Sequence, residues 1–227
     1  MSFSHFIKSM GSGEVESELP KTIVVSLLSS FGILTIIYFM SLKNIANFFP
    51  KYGFFLFFSI LTYALILPSV RHIRAYKEFQ CMSGMMIGMT IGMIAGFLPG
   101  FFVGGTNGMF VGSVFGMSIG ILFGAWNGKV CGVMGVMEGI MAGFMGGLMG
   151  AMTSLMVFND HLKLTGIIVF IISSVILLGL NYMVYTETRG GERRHKDDEF
   201  FIIFWSIFLT IITIMIMVFG PRSVLFQ

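Results

Sequence analysis

CGVMGVMEGIMAGFMGGLMGAM, residues 131–152, contains seven glycines and six methionines, with one cysteine and one carboxylate. On a helical wheel of ~100° per residue, its methionines and Glu138 occupy about 240° to 360°, and its glycines about 40° to 160°. The stretch is therefore predicted to form one helix with two opposed faces. One face is bare, and the other is lined with sulfur and a carboxylate.

The composition of the whole chain is that of an integral membrane protein. Of its 227 residues, 56% are hydrophobic and 11% are charged, and the mean hydropathy is +0.90. Soluble domains carry about 25% charged residues. The net charge is only +3, and the basic residues lie in short loops instead of forming a patch, which argues against nucleic acid as a partner. No phosphate loop, HExxH helix or nucleophile elbow occurs in the sequence, so neither a nucleotide partner nor an enzyme is expected.

Apolar stretches of about 20 residues are long enough to cross a bilayer. They predict an all-α, polytopic transmembrane bundle of about seven spans, near residues 22–42, 52–70, 79–102, 107–127, 130–156, 164–185 and 199–219. Residues 1–21 are expected to be a cytoplasmic segment without a cleavable signal peptide. Residues 220–227 are expected to be a tail that is partly a tag remnant. Pro99, followed by GGTN at 104–107, is expected to break the third helix near its end.

The distribution of basic residues predicts the orientation. Ten lie on the side of the N-terminus: Lys8, Lys21, Arg71, Arg74, Lys77, Lys129, Arg189, Arg193, Arg194 and Lys196. Four lie on the other side: Lys43, Lys51, Lys163 and Arg222. We therefore expect a multi-pass protein of a prokaryotic plasma membrane with a cytoplasmic N-terminus and an external C-terminus. Cys81 and Cys131 would lie near the cytoplasmic face, where we expect free thiols.

Glycine recurs at every fourth position from Gly84 to Gly132, and the spacing resumes at Gly135. Glycines four apart share one side of a helix and let another backbone approach closely. The segments 86–100 and 133–147 also resemble each other. These patterns predict a glycine-zipper core of spans three to five, packed through Gly84, Gly88, Gly92, Gly96, Gly135, Gly139, Gly143 and Gly147.

Methionine is concentrated in the same region, which holds fourteen of the twenty in the chain. Thioether and thiolate are soft ligands that favour Cu(I). The predicted Cu(I) ligands are Cys81, Met82, Met85, Met86, Met89, Met93, Cys131, Met134, Met137, Met141, Met145 and Met149. Glu138 is predicted to neutralise the ion or to exchange protons against it, because a carboxylate inside a span is costly. The alternatives are that methionine fills irregular gaps between helices, forms an adaptable binding surface, or consumes oxidants.

Met82 and Met86, like Met137 and Met141, make MxxxM motifs beside GxxxG. This combination resembles the Ctr-type copper transporters, in which MxxxM ligates Cu(I) and GxxxG packs neighbouring helices. The resemblance covers these helices only, since Ctr proteins are trimers of three-span chains. The central region is also similar to uncharacterised Gly/Met-rich bacterial multi-span membrane proteins.

The sequence therefore favours a protein that binds and transports Cu(I), with the lipid bilayer and a copper chaperone or further copies of itself as partners. The alternatives are a non-transporting membrane subunit that packs against partner helices, and a glycine-zipper channel without metal chemistry. The four histidines, His5, His72, His161 and His195, are expected to be surface residues.

Overall fold

The computed structural model describes residues 18–40, 52–74, 79, 81–187 and 199–221, and these ranges contain seven α-helices and no strand. The helices are α1 (Glu18–Met40), α2 (Phe54–Arg74), α3 (Cys81–Asn107), α4 (Met109–Gly128), α5 (Gly132–Met156), α6 (Leu162–Glu187) and α7 (Glu199–Phe219). A 3-10 turn, Lys129–Cys131, joins α4 to α5. The all-α class is thus confirmed for the described part of the chain.

Six segments are long and apolar enough to cross a bilayer, as expected of a multi-pass membrane protein. Five correspond to α1, α2, α3, α6 and α7, and the sixth, Met109–Met156, is counted as one segment because α4, the turn and α5 follow one another without a gap. Most of the predicted N-terminal segment 1–21 and of the tail 220–227 lies outside the described residues.

The expected break at Pro99 is wrong. Pro99 is buried inside α3, which continues through Gly104 and Gly105 to Asn107. Proline is tolerated in membrane helices where neighbouring helices hold the chain in place. Here α4 and α5 pack closely against this part of α3.

The chain reverses direction at two glycines whose backbone conformations strongly disfavour other residues. Gly108, between α3 and α4, has φ 105° and ψ 171°, and Gly132, before α5, has φ 70° and ψ −152°. Both fall in a region of backbone space that is essentially restricted to glycine. These two residues allow three long helices to follow one another with almost no connecting loop.

The helices α3, α4 and α5 form a three-helix unit held by contacts between backbones. A Cβ atom added to Gly92 would lie 2.8 Å from the carbonyl oxygen of Gly139 and 3.1 Å from the Cα atom of Gly124. Such positions leave no room for a side chain. The order of the contacts along each helix shows that α3 and α5 are parallel and that α4 is antiparallel to both.

The contacts recur in layers that step four residues, or ~6 Å, along each helix. The layers are Gly88 with Gly128 and Gly135, Gly92 with Gly124 and Gly139, Gly96 with Gly120 and Gly143, Gly100 with Gly116 and Gly147, and Gly104 with Gly112 and Ala151. In every layer the α3 and α5 residues are 47 positions apart (135 − 88, 151 − 104). The similar segments 86–100 and 133–147 have the same offset, so the sequence repeat is also the packing register.

The other four helices complete the bundle, and α2, α6 and α7 pack against α3. The contacts of α3 with these helices are made largely by large side chains and not by glycine. Phe101 and Phe102 are fully buried, and Phe102 stacks on Phe58 with ring centroids 6.0 Å apart. The helices α1 and α7 are joined through hydroxyl groups, with the Ser206 Oγ 3.1 Å from that of Ser26. Hydrogen bonds of this kind hold helices together where lipid gives no hydrophobic drive.

Candidate functional site

The two cysteines form a disulfide, with their Cα atoms 5.1 Å apart. Cys81 begins α3 and Cys131 ends the turn before α5, so the bond ties together the starting ends of the two parallel helices. The prediction of free thiols is therefore wrong for this structure. The cause is topological, since α4 carries the chain back and brings together residues 50 positions apart. As metal ligands, Cys81 and Cys131 stay a prediction that applies to their reduced form only.

The predicted methionine ligands lie almost entirely on the outer surface of the three-helix unit. Their side chains are exposed by 43% at Met93 to 78% at Met82, and Met85 is half-buried. We refer to the exposed residues as the methionine face: Met82, Met86, Met89 and Met93 of α3, and Met134, Met137, Met141, Met145 and Met149 of α5. The face continues along α5 through Met152 and Met156, which are also exposed.

Met93 of α3 lies at the contact between α3 and α5, which we call the seam. Gly146 lies against the backbone of Met93, and Gly150 lies against the carbonyl group of Phe97. Met149 is three residues beyond Gly146, which makes the two neighbours on the helix surface. At this level of the seam one methionine of each helix, Met93 and Met149, lies beside a contact that glycine backbone makes.

The methionine face is an outer surface of the chain. The layers of glycine fill the space between α3, α4 and α5 with backbone atoms, which leaves no passage along the axis of this unit. The helix α5 packs mainly against α3 and α4, and its far side is turned away from the rest of the bundle. A path along the methionines therefore runs over the surface of a single chain.

The residue types on this face differ from those on another exposed helix of the same protein. The exposed large hydrophobic side chains of α6 are isoleucine, leucine and valine: Leu164, Ile167, Ile168, Ile171, Ile172, Val175, Ile176 and Leu178. On α3 the exposed large hydrophobic side chains are all methionine. Both helices are apolar enough to cross a membrane, so contact with lipid alone does not account for methionine on one and aliphatic side chains on the other.

Glu138 is half-buried on α5, one residue after Met137. It lies three residues beyond Gly135, which packs against Gly128 and the Cβ of Cys131. Glu138 follows Cys131 by seven residues, which places the carboxylate about two turns from the disulfide end of the unit. Among the residues that the structure describes, no group of three or more His, Cys, Asp or Glu is arranged to hold a metal ion.

Several polar residues of α2 and α6 are buried although the sequence did not predict it. His72, expected at the surface, is only 3% exposed within α2, beside buried Ser69, whose hydroxyl accepts a hydrogen bond of 3.1 Å from Asn181. The segment around His72 was predicted to be a loop because Arg71 and Arg74 are basic. In the structure it is helical, since α2 continues to Arg74. His161 matches its expected exposure and lines a cavity of about 660 Å³, to which α2, α3 and α6 also contribute. His5 and His195 lie outside the described residues.

Comparison of this chain with protein-family models, with characterised proteins and with solved structures yields no match.

Proposed function

We propose that this chain binds Cu(I) on the methionine face and moves it across or within a prokaryotic plasma membrane. The observation that carries the proposal is the contrast between exposed methionine on α3 and α5 and exposed aliphatic side chains on α6. Leucine and isoleucine serve equally well against lipid. Thioether sulfur adds the ability to bind a soft cation, and Cu(I) is the ion that such ligands favour.

The spacing of the methionines suits passage of an ion. Residues four apart on a helix have Cβ atoms about 5–6 Å apart, so each sulfur has another within reach along the row. Conduction needs sites that bind strongly enough to replace water and weakly enough to release the ion. Neutral thioethers meet this requirement better than thiolates, and Glu138 would balance the charge of the ion.

A cation held on this face needs shielding from lipid, because an ion in hydrocarbon is costly. We therefore propose that the face works within a homo-oligomer, in which the methionines of one copy meet those of another. A copper chaperone would deliver or receive the ion at the end of the path. The resemblance to Ctr-type transporters, which are trimers, agrees with this arrangement.

We also propose seven membrane crossings, with α4 and α5 counted separately, and a cytoplasmic N-terminus. A straight helix of the 48 residues Met109–Met156 would be ~72 Å long, against ~30 Å of bilayer hydrocarbon. The pairing of Gly128 with Gly135 and of Gly120 with Gly143 supports a hairpin instead. In this scheme the glycine layers act as a glycine zipper that packs the three central spans.

Copper titration of the purified protein tests the proposal. The full chain, kept without oxygen in detergent, is given Cu(I) in competition with a coloured chelator. We expect a variant with Met137→Leu, Met141→Leu and Met145→Leu to bind fewer copper ions per chain. Leucine and methionine have similar volumes, so the fold should tolerate the exchange.

Met215→Leu is the matched control. Met215 is 53% exposed on α7, which is comparable to the three test positions but outside the methionine face. Copper binding by this variant should equal that of the wild type. If the wild type binds no more copper than the triple variant, the proposal is wrong.

A second candidate is a membrane subunit that transports nothing and uses the methionine face to dock a partner helix. The helix α5 packs mainly against α3 and α4, so its methionine side is turned away from the rest of the bundle. This position favours the alternative, because a partner helix could dock there. Co-purification of a partner in a fixed ratio, together with absence of copper binding, would support it.

A further inference from the structure

The disulfide lies where the predicted Cu(I) path begins. Cys81 is exposed and Cys131 is half-buried. A Cβ atom added to Gly84 would be 3.0 Å from the Cβ of Cys131, so α3 and the turn are in close contact here. The next contact along the helices is the layer of Gly88, Gly128 and Gly135. These backbone contacts fix the spacing of the helices, so the two sulfurs should remain close together after the bond is reduced.

The same end of the bundle is basic. Arg71 and Arg74 occupy the last turn of α2, and the Arg74 guanidinium lies 4.8 Å from the centre of the Trp126 ring on α4. Lys129 belongs to the turn that contains Cys131. An excess of basic residues marks the cytoplasmic side of a membrane protein. Cytosolic thiols are kept reduced, so a disulfide on that side is the form expected under oxidising conditions.

We infer that Cys81 and Cys131 are a redox-controlled loading site: the dithiol form binds one Cu(I) between its two sulfurs, and the disulfide form closes the site. The inference rests on the proposed function and adds how copper binding is regulated. Thiolates bind Cu(I) more strongly than thioethers do, so this pair collects the ion before the methionine face receives it.

Opening the switch needs a dithiol reductant from the cytosol, and closing it needs a disulfide oxidant, which takes up the two electrons and two protons and leaves as two thiols. One thiolate of the reductant attacks the exposed Cys81 sulfur, the disulfide bond breaks, and the electron pair leaves on the Cys131 sulfur. The second thiol of the reductant then displaces Cys81, so the reductant becomes a disulfide and both cysteines become thiols. Binding of Cu(I) replaces the two thiol protons, which pass to water, and the copper keeps its oxidation state.

The experiment compares the two forms of the full-length protein in detergent without oxygen. One sample is reduced with dithiothreitol and desalted, and the other is oxidised with oxidised glutathione. Both are titrated with Cu(I) against a competing chelator. We expect the reduced form to bind one more copper ion per chain, at least about tenfold more tightly than any site of the oxidised form.

Two sets of variants separate this inference from the proposed function. The double variant Cys81→Ser and Cys131→Ser should lose the difference between the reduced and oxidised samples. The triple leucine variant at Met137, Met141 and Met145 should keep that difference and lose only the weaker sites. If the two forms of the wild type bind copper equally while the triple variant binds less, the redox control is wrong and the proposed function stands. If neither form binds copper, both are wrong.

Trapping of thiols in living cells provides a measurement without copper. Cells are treated with acid, and free cysteines are labelled with a maleimide that increases the mass of the chain. Both cysteines should be labelled in growing cells, and neither after exposure to a thiol oxidant such as diamide. A pair that remains a disulfide in growing cells would overturn the inference, as would a pair that diamide leaves reduced.

Discussion

Replacing Gly96 by alanine should destabilise the protein, whereas the same change at Gly179 should not. Both glycines lie inside long apolar helices, Gly96 in α3 and Gly179 in α6. A Cβ atom at Gly96 would be 2.7 Å from the carbonyl oxygen of Gly143 and 2.9 Å from the backbone nitrogen of Gly147. At Gly179 there is nothing within 4 Å. The pair separates the role of glycine in packing from its intrinsic effect on a helix.

The magnitude follows from the kind of atom that is met. Overpacking costs about 1–3 kcal/mol where side chains can adjust. At Gly96 the neighbours are backbone atoms of α5, which have no alternative rotamer, so relief requires the helices to move apart and loosens the layers on either side. We therefore take ~3 kcal/mol for the clash and subtract the ~1 kcal/mol that alanine gains as a helix former. The net loss is ~2 kcal/mol for Gly96→Ala, against a gain of up to ~1 kcal/mol for Gly179→Ala.

Thermal unfolding in detergent, followed by tryptophan fluorescence, is a suitable assay. For a chain of this size 1 kcal/mol corresponds to about 2–4 °C, so Gly96→Ala should lower the Tm by about 4–8 °C. Both variants must be compared with the disulfide in the same state. A Gly96→Ala protein as stable as the wild type would refute the packing argument. Equal losses at both positions would show that the effect is not specific to the glycine layers.

Three further predictions concern single residues. Gly132→Ala should cost about 1–3 kcal/mol from backbone strain alone, because nothing lies within 4 Å of the added Cβ; an unchanged denaturation midpoint in detergent would contradict this. Ser206→Ala should cost about 0.5–1.5 kcal/mol by removing the hydroxyl that contacts α1, whereas Ser174→Ala, which removes only a bond within α6, should cost less in the same denaturation series. Glu138→Gln should weaken Cu(I) binding about three- to fivefold, since an ion pair of a partly exposed group contributes up to ~1 kcal/mol. Unchanged copper titrations across about pH 5–8 would exclude Glu138 from the mechanism.

The helices and their contact faces were largely predictable from the sequence. Hydrophobic length determined where α2 to α7 lie, to within a few residues. The four-residue spacing of glycine identified the surfaces that meet, because only glycine permits the approach that Gly92 makes to Gly139. The internal repeat also indicates how α3 and α5 are aligned, although this was not predicted from it. Its offset of 47 residues is the register in which α3 and α5 pack side by side.

Features that depend on the path of the chain in three dimensions were not predictable in this way. Pairing of Cys81 with Cys131 requires that α4 return antiparallel to both its neighbours, and hydropathy alone does not give the order of helices around a bundle. The burial of His72 depends on α2 extending beyond the predicted end of its span. Pro99 remained helical because its surroundings hold the chain, which no local rule of helix termination includes.

The exposure of the methionine face narrows the alternatives for its function. A side chain that fills gaps between helices must be buried, yet these methionines are 43% to 78% exposed, and the helix contacts beside them are made by glycine backbone. Contact with lipid does not require methionine either, since α6 uses isoleucine, leucine and valine on its exposed side. Binding of a soft metal, docking of a partner and consumption of oxidants therefore remain, and leucine substitution separates the first two. Leucine at Met137, Met141 and Met145 retains an apolar docking surface but removes three sulfur ligands, so the triple variant should still bind a partner while it binds fewer copper ions.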